Sequence, residues 1–502
     1  MSDDATHRLA DDLRTALLAA DFTYDAVAEL LGPTGHTALG RNETVPGLRC
    51  TTDRSPLSIL TRLFLLQATV PVDEAEAALP GLVDRLCVAG LLERSVSEVA
   101  ARMDCRPYAA PDARGERDLW VVSDLTPGLD GNRVKVGRDH VLGISSASTS
   151  LAQLTVREPV GRALDLGTGC GVQALHLASH AGAVVATDVN RRALWVTRFN
   201  ARLNGLTNID VRDGSFFEPV RDERFDLIAT NPPFVISPAT GQRLVYRDSG
   251  LPGDRVVEDI VRAAPDRLTD GGLCQVLANW VIRADRPWDE RLTDWLDGTC
   301  DAFVVQREIV DPAQYVELWL KDAGQHGGPD YVHRYDTWLG WFEEQGIEAV
   351  GFGWVNLRRR SADAGGEASY RLEQWPYDVE QPVAPALLAH FDAVDALAGL
   401  ADEEALMAAH LAARTDVQQE TLGAPGAEDP HTVVLRQQRG LRRARRADTV
   451  EAALLGACDG ELAVGQILDA LAQLLDAEPV ETRSQYADAV RELVAEGFLE
   501  PA

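Results

Sequence analysis

Two short stretches combine residue types and spacing suited to group transfer. In Ala163-Leu-Asp165-Leu-Gly167-Thr-Gly169-Cys-Gly171 a short apolar strand runs into three glycines, and a helix starts near Val172. Glycine permits tight turning and close approach of backbone to a ligand, and a helix N-terminus offers free N–H groups. The pattern is not the dinucleotide fingerprint, and it lacks the Lys-Ser/Thr of a P-loop. The turn either holds a small ligand at the carboxyl ends of strands or is a plain glycine-rich connection. Further on, Asn231-Pro232-Pro233-Phe234 closes the apolar run Leu-Ile-Ala-Thr. Two prolines lock the backbone and remove two N–H donors. The Asn231 amide oxygen and a proline carbonyl can each accept one hydrogen of an NH2 group. A delocalised, weakly nucleophilic nitrogen held in this way is aligned for attack on an electrophilic carbon, by positioning and electrostatics. Phe234 would stack on a flat substrate. The alternative is a Pro-Pro strand terminator.

Between these stretches lie two acids at strand ends. Asp188 follows Val185-Ala-Thr, about twenty residues past the glycines, where a carboxylate can accept from both hydroxyls of a ribose. Its other reading is an N-cap for the helix starting near Arg191. Asp213-Gly-Ser-Phe216 closes the next strand. Asp213 is a candidate acceptor for an adenine amino group and Phe216 a candidate ring contact; the alternative is a plain turn.

The elements that must hold these residues follow an α/β pattern. Apolar strands at 162–166, 183–187, 209–212, 227–230, 273–277, 302–308 and 350–355 alternate with amphipathic helices. Seven such strands predict one doubly wound, Rossmann-like sheet. Residues 311–346 are too long for a loop and should contain helices. Mainly helical, winged-helix-like segments flank the sheet. Helical apolar spacing at Leu57, Leu60, Leu63 and Phe64 precedes a strand at 118–124, and a similar stripe recurs at Leu468, Leu471 and Leu475. The sequences Gly90-Leu-Leu-Glu93 and Gly497-Phe-Leu-Glu500 each follow a helix. They suggest two related small domains, or only the common glycine stop. The expected boundaries are 1–125, 126–360, a linker at 361–385 rich in Gly, Pro, Glu and Asp, and 386–502.

The formal net charge of -30 over 502 residues disfavours non-specific binding to phosphate backbones. One basic cluster stands out: Arg436, Arg439, Arg442, Arg443, Arg445 and Arg446. It is either a grip for RNA or an acidic peptide, or a solvated helical face paired with nearby acids. The seven cysteines include no C-x-x-C pair, so neither a metal site nor a disulfide framework is expected. The opening Met-Ser-Asp-Asp-Ala-Thr has no apolar stretch and no run is long enough to span a bilayer, so no membrane association and a cytoplasmic location are expected.

On the glycine turn, Asp188 and Asn231 to Phe234, residues 130–357 resemble the class I S-adenosylmethionine-dependent methyltransferases. Within them the chain is similar to the amino- and amide-directed branch with an (N/D)-P-P-(Y/F/W) motif. That branch includes release-factor glutamine-N5, ribosomal RNA guanine-N2 and adenine-N6 methyltransferases. The resemblance implies S-adenosylmethionine as cofactor, with Asp165, Gly167, Gly169 and Gly171 at the cofactor loop. It places Asp188 on the ribose, Asp213 and Phe216 at the adenine, and Asn231, Pro232, Pro233 and Phe234 at the reacting nitrogen. It also implies sheet order 3-2-1-4-5-7-6. The segment 139–148 is either the cover over the cofactor or a polar connector, and 246–254 matches in position the loop after the catalytic motif. The acidity favours a protein or peptide amide as acceptor over a nucleobase. A non-catalytic cofactor sensor is the reading of a different class.

Overall fold

A computed structural model describes residues 3–112, 115–131, 136–238, 245–248, 250–361, 366–424 and 432–502. A hairpin of β1 (Met103–Asp112) and β2 (Gly115–Asp124) precedes the central sheet. The sheet strands are β3 (Val160–Leu166), β4 (Ala181–Asp188), β5 (Ile209–Asp213), β6 (Phe225–Thr230), β7 (Leu268–Arg283), β8 (Cys300–Val310), β9 (Ile347–Arg359) and β10 (Tyr370–Gln374). The order is β10-β8-β9-β7-β6-β3-β4-β5. Counting from β3, this is the expected 3-2-1-4-5-7-6 with one strand added at the edge. The added strand corrects the linker reading of 361–385. Tyr370 and Leu372 alternate with Arg371 and Glu373, and β10 pairs in parallel with β8 from Ala302↔Tyr370 to Gln306↔Gln374. Strand alternation over only five residues is easily hidden by charged neighbours.

The helices that matter for the site are α1 (Val172–Leu177), α2 (Arg191–Leu203), α3 (Pro312–Asp322) and α4 (Tyr331–Glu344). The last two fill the 311–346 interval. Strands β3, β4 and β6 are buried through their carboxyl halves, which places the turns that follow them at one end of the sheet.

The chain divides into two compact units, 1–152 with 157–297 and 308–355, and 153–156 with 298–307 and 356–502. In the first, a continuous apolar core joins the N-terminal helices and hairpin to α1 and α2, from Leu9 and Phe64 through Val122 to Val172 and Phe199. The N-terminal residues also form a three-stranded sheet in which 98–101 lies between 70–71 and 92–94. In the second unit, 410–413 lies between 459–463 and 499–501. In both, two helices connect the outer strands, and a glycine with positive φ, Gly90 at 79° and Gly497 at 74°, ends the second helix. Among the described residues no helix is long and apolar enough to cross a membrane.

Candidate active site

The glycine turn is fixed from below and from the side. Gly167, Gly169 and Gly171 have φ of 78°, 56° and 85°, a region that other residues enter at a cost. A Cβ on Gly171 would lie 2.9 Å from Thr197 Cγ2, while Gly167 and Gly169 face open space. Asp165, buried beneath the turn, accepts from Thr168 Oγ1 at 2.6 Å and from the Ala174 N–H at 2.9 Å. Burial pushes its carboxyl up to about 7, with those two hydrogen bonds opposing the shift. From α2, Thr197 Oγ1 donates to the Gly169 carbonyl at 3.0 Å and Asn200 Nδ2 to the Cys170 carbonyl at 2.8 Å.

Asp188 ends β4 beside this turn. Its two carboxylate oxygens accept from the Gly169 N–H at 2.9 Å and the Asn190 N–H at 2.8 Å. Burial raises its pKa, opposed by those N–H groups. It is not the N-cap of α2: Asn190 takes that position, accepting from the Arg192 N–H at 3.0 Å.

These groups line one cavity of about 470 Å³. Asp165, Gly167, Gly169, Asp188, Phe216, Asn231, Pro232 and Pro233 are on its wall, so the structure gathers most of the sequence candidates in one place. Gly171 lies just behind, as the N-cap of α1. Two expected residues are elsewhere. The Asp213 side chain is exposed, 3.8 Å from Arg191, and does not line the cavity; the Gly214–Phe216 turn does so instead. Phe234 also stays off the wall, its ring edge-on to Trp319 at 6.3 Å between centroids.

The Asn-Pro-Pro turn is held at its far side. The Phe234 N–H donates to the Pro232 carbonyl at 2.7 Å, so that oxygen is already engaged, and the Val235 N–H donates to the Arg247 carbonyl at 3.1 Å. The Ile236 N–H donates to the hydroxyl of the buried Tyr315 on α3 at 2.9 Å. Arg247, buried, donates to the Trp319 carbonyl at 2.6 Å. Asn231 Oδ1 is buried and has no hydrogen-bond partner among the described residues. A native polar atom left in this state calls for a ligand, an ion or a water.

Several wall residues were not candidates from sequence. Gln173 Nε2 donates to the Ser148 carbonyl at 2.6 Å, while its Oε1 is buried and without a partner among the described residues. A helical Gln with an apolar flank gives no sequence signal. The 139–148 segment contributes His140, Val141, Leu142, Gly143, Ser145 and Ser148 to the wall. Asp124 anchors it, accepting from the Val141 N–H at 2.8 Å and from Arg192 Nε at 3.0 Å. Burial holds the His140 imidazole below its ordinary pKa, with Asp124 opposing. In the loop after the motif, Tyr246 and Leu251 line the cavity, and the Tyr246 hydroxyl donates to Asp322 at 2.9 Å; Ser249 lies outside the described residues.

Residues 143–295 match the methyltransferase small domain family. This segment belongs to the class I methyltransferases. The ends of the chain match two other families, each described as a domain of unknown function: DUF7059 at 19–102 and DUF7782 at 388–501. A ribosomal protein uL3 glutamine methyltransferase of Bradyrhizobium diazoefficiens is 36% identical over 151 residues, 28% of this chain and 47% of that protein. A release factor glutamine methyltransferase of Xylella fastidiosa is 33% identical over 141 residues, 26% and 48% respectively. A ribosomal RNA small subunit methyltransferase C of Salmonella arizonae is 30% identical over 150 residues, 30% and 40%. The chain thus spans about half the length, or less, of these curated relatives.

The basic cluster pairs in part with acids, one of the two sequence readings, but not on a helical face. Arg436 and Arg445 lie on strands, not on a helix. Arg436 pairs with Glu420, Arg443 with Glu373, and Arg445 with Glu451, Glu492 and Glu496. Three of the six arginines are therefore neutralised within their own unit, which argues against the cluster as a phosphate grip.

Proposed function

We propose that this protein is an S-adenosylmethionine-dependent N-methyltransferase acting on a planar amide nitrogen, glutamine-like, of a protein or peptide. One observation carries the reading: a buried, unpartnered Asn231 oxygen shares a cavity with a braced glycine turn and the Asp188 carboxylate. The chain's groups fit the cofactor. Gly167 and Gly169 leave open space where a Cβ would stand, Asp188 keeps lone pairs for ribose hydroxyls, and Gln173 Oε1 offers a free acceptor. When bound, S-adenosylmethionine supplies a methyl carbon made electrophilic by its sulfonium.

The chain's own residues then perform three tasks. Asn231 Oδ1 accepts one hydrogen of the acceptor NH2 and fixes its lone pair toward the donor. The two prolines that follow keep that oxygen in place without adding competing donors. The 139–148 segment and Tyr246 limit water access, which strengthens the polar grip. No strong base is required, because methylation acidifies the nitrogen. The Pro232 carbonyl accepts from the Phe234 N–H with one lone pair and keeps the other for the second hydrogen. The terminal regions, winged-helix-like in element order, are the recruiters of the substrate in this reading.

Relatives named as glutamine methyltransferases support the amide acceptor. A nucleobase amino group is the second reading, favoured by the ribosomal RNA relative. The full chain, methyl-labelled S-adenosylmethionine and lysate fractions of protein, RNA and small molecules form the test. Label on a glutamine of a protein, located by mass spectrometry, supports the proposal. Label in RNA replaces it with the second reading, and no label in any fraction overturns both.

A further inference from the structure

The hairpin β1/β2 has only two strands, so one edge of β2 lacks a strand partner. Buried backbone groups on such an edge must find other partners. They find them on α2. Asn204 Oδ1 accepts from the Trp120 N–H at 2.9 Å, and its Nδ2 donates to the Trp120 carbonyl at 2.8 Å. One helical turn earlier, Asn200 repeats the pattern on Val122, at 2.8 Å for both bonds. The repeats match physically: i to i+4 on a helix advances about 6 Å, and i to i+2 on a strand about 6.8 Å. Two amide side chains thereby stand in for a missing strand.

The two asparagines differ in one respect. Asn204 spends its remaining N–H on the Asn200 carbonyl, within its own helix. Asn200 spends its own on the Cys170 carbonyl, in the glycine turn. Both are buried, so neither can exchange these partners for bulk water. Asn200 thus holds the N-terminal hairpin with one N–H and the glycine turn with the other.

Building on the methyltransferase reading, we propose that Asn200 is a positioning residue through which the N-terminal region sets the grip of the glycine turn on its donor. With the Cys170 carbonyl drawn to α2, trans-peptide planarity turns the Gly171 N–H the opposite way, where the Thr168 carbonyl accepts it at 2.8 Å. Loss of the hairpin contact and loss of the turn's shape become one event at this side chain. By linkage, donor occupancy must in turn steady the hairpin.

Asn204 provides a matched control, because its replacement removes an equivalent pair of hairpin bonds, those to Trp120, without touching the turn. Calorimetry with S-adenosylhomocysteine on full-length wild type, N200A and N204A gives the readout, with melting curves and donor kinetics alongside. Both variants should lose thermal stability. N200A should bind about tenfold more weakly, with donor KM rising and kcat nearly constant, a loss of the size expected for one or two buried hydrogen bonds. N204A should stay within about twofold of wild type. Equal weakening in both variants, or no weakening in N200A, overturns the proposal. If an alanine variant fails to fold, N200S and N204S are compared by the same criteria. Wild type that does not bind S-adenosylhomocysteine overturns the donor reading itself, and this inference with it.

Discussion

The glycine-turn end and the Asn-Pro-Pro end of the cavity, the donor and acceptor ends in the proposed reading, are built differently. At the donor end, the glycine turn is bonded from Asp165 beneath, Asp188 beside and Thr197 and Asn200 behind. All four lie within about one βαβα stretch of sequence. At the acceptor end, the Asn-Pro-Pro turn depends on groups distant in sequence: Arg247, Tyr315 and, through Arg247, Trp319. Each end presents one buried oxygen without a partner among the described residues, Gln173 Oε1 and Asn231 Oδ1. In the proposed reading the device for holding a donor is therefore local, while the device that selects an acceptor is assembled from segments distant in sequence. The first should control affinity for the donor and the second turnover and choice of acceptor.

The largest test of that division is Asn231→Ala. It should lower kcat by about 10²- to 10³-fold, the cost of removing one preorganised polar contact at a reacting centre. Donor affinity, measured by calorimetry, should stay within a few-fold. A parallel loss of donor binding would erase the division. Asp188→Ala is the converse. Its carboxylate should be worth about 10- to 100-fold in donor affinity, as hydrogen bonds to a charged group are, with kcat at saturating donor nearly kept.

Smaller effects sharpen the comparison. Phe234→Leu should change acceptor kcat/KM by about 2- to 10-fold through lost ring contacts, leaving donor KM alone. Its ring rests on Trp319, away from the wall, so the effect depends on its swinging toward the acceptor. The pH dependence is the subtlest. The Asp165 carboxyl is held at about 7 in the fold, above its unfolded value. The native state then binds more protons than the unfolded state between those values, so this group's stabilisation falls as pH rises toward 7. Melting temperatures of wild type should contain that decline, and Asp165→Asn should remove it.

The same contrast governs what the sequence made legible. Strands β3, β4, β6 and β7 could be read because buried parallel strands are near-continuous apolar runs. The glycines and Asp188 could be read because turn geometry and strand-end position restrict residue type. Asp213 misled because it sits next to the wall turn, and alternation along a strand end decides which neighbour faces in. The supports of the acceptor end were invisible: nothing local marks Tyr315 as the acceptor for the Ile236 N–H. The Asn200 and Asn204 pair left one faint signal, two amides at helical spacing on the face of α2 that also carries Val196 and Phe199. Pairing of the basic cluster with acids was one sequence reading, but which acids meet Arg436, Arg443 and Arg445 depends on tertiary contacts that composition cannot supply.

The most direct measurement is a crystal structure of the full chain with S-adenosylhomocysteine. The account predicts its ribose hydroxyls within hydrogen-bond distance of Asp188 and its sulfur facing the Asn231 amide oxygen across the 470 Å³ cavity. A ligand bound elsewhere, or a sulfur turned away from Asn231, would contradict it.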